Sequence, residues 1–375
     1  MDYGYFNYVT HWQSGRWGWW EWCRAWWRFY QADRRWSPPD YATFGRLTAP
    51  THPHWQTVHQ QPITLEALTR RAANNDAHGM QPAMSAFSES TVAAALIQVD
   101  PRAEDTAYLA LLRCANDKET LERLLDAALG WASEQGCTQL VGPTGLLPAW
   151  QPGALLDHFH VTPPLHTPYN PPYLPDILAG AMTPLYDTAL YQWAPRPAPL
   201  PSAGPATLTS LAPPRLAGDC LDLLNEGLNP DGLWPQLDAA AATLFVQMLA
   251  PYPTAGWVAT VDEEPVGVAL VQPDLAEVMR RAGGGRSWPG RAYAAWAKNR
   301  PAVGGRLLLG AVAPAWRGRG VGAQLWGQMT AYAVAAGWST ISAGPFNLDS
   351  LGAAFLSAHG ATPAQRYTTY TWSAW

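Results

Sequence analysis

Arg317-Gly318-Arg319-Gly320-Val321-Gly322 is the stretch whose residue types and spacing can do chemistry. Glycines let a main chain come close to a ligand, and the first turn of a helix presents free N–H groups at the positive end of its dipole. Arg317 and Arg319 add charge of the same sign. The combination suits a phosphate or pyrophosphate; a tight turn that holds no ligand is the alternative. A Walker loop needs Gly-Lys-Ser/Thr and a dinucleotide fingerprint needs Gly-x-Gly-x-x-Gly, and neither pattern is met. Two elements must position such a loop. Before it, Arg306–Pro314 is an apolar run expected to be a strand. After it, Val321, Leu325, Met329, Tyr332 and Ala336 recur at helical spacing.

Charge is spread unevenly around this loop. From Val278 to Leu348 there is no Asp or Glu, while Arg280, Arg281, Arg286, Arg291, Lys298, Arg300, Arg306, Arg317 and Arg319 give +9. The whole chain is −5, so the remainder is −5 minus 9, or −14. A segregated positive field favours an anionic ligand. The acidic total and the lack of a recognition motif speak against nucleic acid. Of the 375 residues 48% are hydrophobic and 14% charged, a globular composition of about two domains. No run of roughly 18 apolar residues is present, so no membrane span is expected. No basic region followed by an aliphatic run opens the chain, so no signal peptide is expected. Cys23, Cys114, Cys137 and Cys220 are scattered and read as buried free thiols in a reducing, cytoplasmic setting.

In chain order, residues 1–36 hold eight tryptophans. On a helical wheel Trp19, Trp22, Trp26, Phe29 and Tyr30 oppose Glu21, Arg24 and Arg28. This aromatic helix either packs on the domains behind it or meets a membrane surface or partner. Residues 31–60 read as loop. Ala83–Ser88, Val92–Val99 and Thr106–Cys114 read as strands. A helix then carries Leu121, Leu124, Leu125, Ala128, Trp131 and Ala132, with Asn116 and Glu119 as its capping pair. Thr138–Val141 is the next strand, stopped by Gly142-Pro143. The second half repeats this order. Ala206–Leu211 is a strand, Leu221–Leu228 and Leu233–Leu249 are helices, and Gly256–Val261 with Val266–Val271 form a hairpin. The 306–314 strand, the glycine loop and a helix to Ala336 come next, then Ser339–Ala343, stopped by Gly344-Pro345. The repetition implies an internal duplication. It divides the chain into an aromatic N-terminal helix and loop extension (1–60), a first copy (61–193), a Pro-rich linker (194–205) and a second copy (206–375). At the loop position the first copy has Ala115-Asn116-Asp117-Lys118-Glu119, with no glycine and two carboxylates, so it is expected to bind no phosphate.

The order Val312-x-Pro314-x-x-Arg317-Gly318-x-Gly320-x-Gly322 resembles the pyrophosphate loop of the GNAT acyltransferases. A tandem, poorly defined branch of that superfamily is also resembled through Phe29-Tyr30 with Asp33 and Trp36-Ser37-Pro38-Pro39, the Gly142-Pro143 turn, Tyr169-Asn170-Pro171-Pro172-Tyr173 and Glu264-Pro265-Val266-Gly267. The resemblance implies a mixed α/β chain of two GNAT-like domains, each a mixed, mostly antiparallel sheet flanked by helices, the N-terminal copy degenerate. It implies acetyl-CoA or another acyl-CoA as co-substrate, held by Val312, Ala313, Arg317, Gly318, Arg319, Gly320, Val321, Gly322 and Asn347, and no metal.

Acyl transfer from a thioester needs a deprotonated acceptor, a polarised carbonyl and a proton for the leaving thiolate. Main-chain N–H groups near Val312 and Ala313 can serve the carbonyl. The carboxylate that the family often carries on the strand before the loop is missing from Leu307–Ala311, and its Tyr after Asn347 is missing from Gly352–Ser357. Catalytic residues are therefore unassigned; Glu263 and Glu264 are candidates for the base, or solvated turn residues. Asn347 reads equally as a helix N-cap. His158, His160 and His166 lack the frame of a metal site. The basic segment from Pro273 to Gly305 points to a carboxylate- or phosphate-bearing acceptor, or is a solvated flap. The expected function is acyl transfer to a small-molecule or peptide amine. A non-catalytic acyl-CoA-binding or scaffold protein is the alternative. A Fem-like aminoacyl transferase is disfavoured by the intact loop.

Overall fold

Short aliphatic runs separated by turns make the strands of this computed structural model, which describes residues 7–70, 87–196 and 204–373. The first half runs β1 (Asn7–Trp12), α1 (Gly15–Tyr30), α2 (Tyr41–Leu47), α3 (His54–Thr57), β2 (His59–Arg70), β3 (Phe87–Val99), β4 (Thr106–Cys114), α4 (Lys118–Glu134), β5 (Gln139–Thr144), β6 (Ala154–Leu155), α5 (Leu174–Ala181) and β7 (Thr183–Trp193). The second half runs β8 (Thr207–Ser210), α6 (Leu221–Leu228), α7 (Ala239–Leu249), β9 (Ala255–Val261), β10 (Glu264–Pro273), α8 (Ala276–Ala282), α9 (Trp288–Ala297), β11 (Gly304–Val312), α10 (Val321–Ala335), β12 (Thr340–Asn347), α11 (Leu351–Ala358) and β13 (Thr362–Ser373).

The fold is mixed α/β, and one 13-stranded sheet runs through both halves in the order β1-β2-β3-β4-β5-β13-β7-β12-β11-β10-β9-β8, with β6 beside β13. Most neighbours are antiparallel. The parallel pairs are β4 with β5 and β11 with β12. Each joins the ends of a strand–helix–strand unit, which antiparallel hairpins cannot do. The last strand of each half lies on the far side of the other's: β13 pairs with β5, and β7 pairs with β12.

Local chemistry explains most element boundaries. α4 turns Leu121, Leu124, Leu125, Ala128 and Ala132 into the core, and α10 does the same with Val321, Leu325, Met329 and Ala333. The cap of α4 is Asp117, whose carboxylate accepts the Thr120 N–H; Asn116 and Glu119 do not form the expected capping pair. The expected helix over Leu233–Leu249 begins only at Ala239. Asn225 and Asn229 clamp the main chain at Leu237 and Trp234 first, and Asp238 then caps α7. Gly142-Pro143 and Gly344-Pro345 do not stop their strands but lie inside β5 and β12. Part of the loop expected over 31–60 is helical, because Asp40 caps α2. In the expected strand Ala83–Ser88, residues 83–86 fall outside the described residues, as do 197–203 of the Pro-rich linker.

The aromatic helix is core. α1 crosses β2, β3 and β4 and buries Trp19, Trp22, Trp26, Trp27 and Tyr30, while Trp17 and Trp20 stay exposed. Its indoles are hydrogen-bonded within the protein: Trp22 to the Ala95 carbonyl (2.9 Å), Trp26 to that of Leu111 (2.7 Å) and Trp19 to Thr48 Oγ1 (3.2 Å). Replacing Trp22 by Ala is expected to cost about 3–5 kcal/mol in urea unfolding. Replacing Trp17, which is 83% exposed, should stay within about 0.5 kcal/mol. Equal midpoints for the two variants would contradict the placement of α1.

Candidate functional site

β11 and β12 pair only from Gly304–Leu307 against Thr340–Ala343, then part. β11 carries one extra residue there. Leu309 pairs with Leu270 and Leu307 with Val271, leaving Leu308 unmatched. Such a bulge twists a strand and ends pairing. The gap it opens is a small cavity of about 50 Å³. Leu308, Gly310, Phe346 and Asn347 line it from the splayed strands, and Asn229 and Trp234 from the segment after α6. The first half contributes Trp150 and, from β7, Tyr186.

The glycine loop follows directly from the end of β11, one of the two strands that part, and none of its residues lines the cavity. Gly318 has φ +73° and Gly320 φ +91°, a region that a side chain makes costly. Gly320 is the N-cap of α10, so the helix begins without a side-chain cap and without an acid in its first turn. Among the described residues, the main-chain N–H groups of Gly318, Arg319, Gly320, Val321, Gly322 and Ala323 have no hydrogen-bond acceptor. That run of free donors, on an exposed loop at a helix N-terminus, is a ready anion cradle.

The arginines divide their roles. Arg317 folds back: its Nε donates to the Val312 carbonyl (3.2 Å) and its Nη2 pairs with the Glu226 carboxylate on α6. It fastens the loop to the end of β11. Arg319 lies over the Trp316 ring at 5.2 Å and is exposed. Ala313 donates its N–H to the Val266 carbonyl (2.9 Å), so that amide is taken. Alternation along the strand turns the Val312 N–H to the other edge, toward the gap. Asn347 ends β12 beside the cavity and accepts the Asp349 N–H. The N-cap of α11 is Ser350, not Asn347.

Other expected residues lie elsewhere. Glu263 and Glu264 belong to the β9–β10 turn and do not line the cavity. The basic segment 273–305 folds into α8 and α9 and contributes nothing to the lining. Much of its charge is spent: Arg280 and Arg281 pair with Glu277, Lys298 donates to the Pro251 carbonyl, and Arg300 stacks on Trp296. Arg306 is buried and bonds Thr167 and the Gly344 carbonyl. Among the described residues no group of three or more His, Cys, Asp and Glu gathers as a metal would need, and no helix is long and apolar enough to cross a membrane.

Tyr186 is the lining residue that sequence reasoning missed. Its hydroxyl is buried beside Thr369, and burial raises its pKa above the usual phenol range. With the exposed Asp231 it is one of the titratable side chains on the cavity wall. No local signal marks it, because its strand belongs to the first half of the chain.

The equivalent helix start in the first half is occupied. Asp117 caps the α4 N-terminus, and Tyr8 donates a hydrogen bond to the same carboxylate (3.1 Å). The Trp26 indole lies where β4 and β5 part and donates to the Leu111 carbonyl.

No protein-family profile matches this sequence, and no curated protein matches it significantly. Solved structures do resemble the chain. A tandem GNAT protein from the clavulanic acid biosynthesis pathway has a TM-score of 0.57 at 12% identity, over 98% of this chain and 98% of its own. A GCN5-related N-acetyltransferase from Sphaerobacter thermophilus has a TM-score of 0.50 at 11% identity, over 98% and 95%. A conserved protein of unknown function from Enterococcus faecalis V583, described as a probable N-acyltransferase, has a TM-score of 0.57 at 8% identity, over 98% and 73%. The chain therefore has the fold of the GNAT N-acetyltransferases.

Substitution at either helix start should lower stability, by a different route at each. Asp117→Ala should cost about 1 kcal/mol through the lost cap. Gly320→Ala should cost about 1–2 kcal/mol through the left-handed backbone alone. Chemical unfolding of both variants checks this, and an unchanged midpoint for Gly320→Ala would refute the loop geometry.

Proposed function

We propose that the second half binds acetyl-CoA and transfers its acetyl group to an amine-bearing small molecule or peptide. The observation that carries this reading is the row of free N–H groups from Gly318 to Ala323, on the loop that follows β11. The pyrophosphate would lie on those amides, with Arg319 and the α10 dipole adding positive potential. The pantetheine arm would run into the gap, where the Val312 N–H meets it. A cavity of about 50 Å³, a third of the roughly 150 Å³ cavity known to hold benzene, matches a group of acetyl size. Four buried free cysteines fit a reducing, cytoplasmic setting.

In the reaction the amine nitrogen attacks the thioester carbonyl. The C–N bond forms, the C–S bond breaks, the amine loses a proton and the CoA thiolate gains one. A group held protonated at neutral pH is the right donor for that last step. Tyr186 meets this requirement, because burial keeps its hydroxyl protonated. Nothing comparable fits the base: β11 carries no carboxylate, and Asp231 is exposed. That absence favours a second reading, in which the protein binds acyl-CoA without catalysis.

Gly320→Glu should abolish the rise in melting temperature that acetyl-CoA gives the native protein, while Asp117→Ala should leave the rise intact. A rise retained in Gly320→Glu would exclude this loop. Thiol release with a panel of amines separates enzyme from binder: an aliphatic diamine, an aminosugar, an amino acid and a Lys-bearing peptide. If catalysis is present, Tyr186→Phe should lower kcat about 10²–10⁴-fold with KM for acetyl-CoA unchanged. Full activity in that variant would remove Tyr186 from the mechanism.

A further inference from the structure

The parting of β4 and β5 in the first half is not completely filled. Beside Trp26 remains a cavity of about 150 Å³, larger than the one in the second half. Its unusual feature is Arg113 on β4. This guanidinium is 6% exposed, and among the described residues no acid pairs with it. It lies over the rings of Tyr30 (3.8 Å) and Trp26 (4.3 Å). Nη1 donates to the Tyr169 carbonyl (3.2 Å), and Nε, without an acceptor, is enclosed by the protein. A buried cation is expensive unless a counter-charge and acceptors meet it, and ring faces supply neither in full. Asp40, the acid among the lining residues, already accepts the Thr43 N–H as the cap of α2.

His166 also lines the cavity. Its Nε2 is enclosed beside Gln272, and burial with the nearby Arg306 charge pulls the pKa down to about 3, so the ring is neutral. The rest of the wall is mostly apolar, with Trp36, Phe44 and Leu165 among it. Room for about six heavy atoms, an unpaired guanidinium and hydrocarbon walls define a ligand chemistry.

We propose that this cavity binds a short-chain carboxylate, its charge meeting the Arg113 guanidinium and its hydrocarbon tail the aromatic wall. The site is separate from the α10 cradle and does not depend on acetyl-CoA. The uncompensated guanidinium charge suits a carboxylate, and the apolar wall selects against a free oxyanion.

Titration calorimetry of the whole protein with butyrate, acetate and inorganic phosphate tests this. Butyrate should bind with a dissociation constant in the millimolar range or below, acetate more weakly, and phosphate least. Arg113→Met should lose butyrate binding by at least about tenfold. If that variant does not fold, Arg113→Lys decides, because an ammonium lacks the planar face that lies on Tyr30 and Trp26 and should also weaken binding about tenfold. Gly320→Glu should bind butyrate as the native protein does, whatever its response to acetyl-CoA. No heat at about 50 mM butyrate, phosphate binding in preference to butyrate, or native affinity in the Arg113 variants would each overturn the proposal.

Discussion

Everything in this molecule depends on two strands that lie on the far side from where chain order alone would put them. β13 completes the edge left by β5, and β7 completes the edge left by β12. Neither half closes its own sheet. An open edge of unpaired N–H and C=O groups would otherwise run through the middle of the protein. Because the exchange is reciprocal, the two halves share one ladder, and β7 and β13 also pair with each other. The wall of the second-half cavity depends on this arrangement. Tyr186 and Thr188 reach it only because β7 is paired with β12. Arg306 adds a tie from β11 to Thr167 of the first half.

The halves share a scaffold and differ at a few atoms. Both have a parallel strand pair that parts, and both have an irregularity on the strand leading to the helix, at Leu111 in β4 and Leu308 in β11. In the first half the Leu111 carbonyl is taken by Trp26, and the helix start by Asp117 and Tyr8. In the second half the equivalent helix start has donors without acceptors. The contrast lies in satisfaction of main-chain polar groups. One copy satisfies them internally, and the other leaves them for a ligand.

What could be read from the sequence was local. Glycines at 318, 320 and 322, between an apolar run and a helical period, report their own backbone, and the φ values at Gly318 and Gly320 agree. The Trp19, Trp22 and Trp26 stripe likewise reports a buried helix face. What could not be read depends on distant pairing. The strand exchange leaves no mark on composition, so Tyr186 was invisible. Arg113 sits in the apolar run Leu109–Cys114, where it looks like the exposed member of a strand, yet α1 covers it. The basic segment misled for a simpler reason. Glu277 lies one residue before the acid-free window and neutralises Arg280 and Arg281 at helical spacing. The expected helix from Leu233 failed because two asparagine side chains bind the main chain ahead of it, a choice that hydrophobic periodicity does not register.

A helix that begins with free donors and two left-handed glycines is a poor helix start by every stability rule. The second half tolerates it because neighbours hold the loop from several sides: Glu226 and the Val312 carbonyl through Arg317, and Ala206 through both amide atoms of Gln324. The first half has the opposite solution, a carboxylate cap on its helix with a second hydrogen bond from Tyr8, and both are stabilising. It also supplies β7, Trp150 and the edge for β13, so the half whose helix start is satisfied frames the one whose helix start is open.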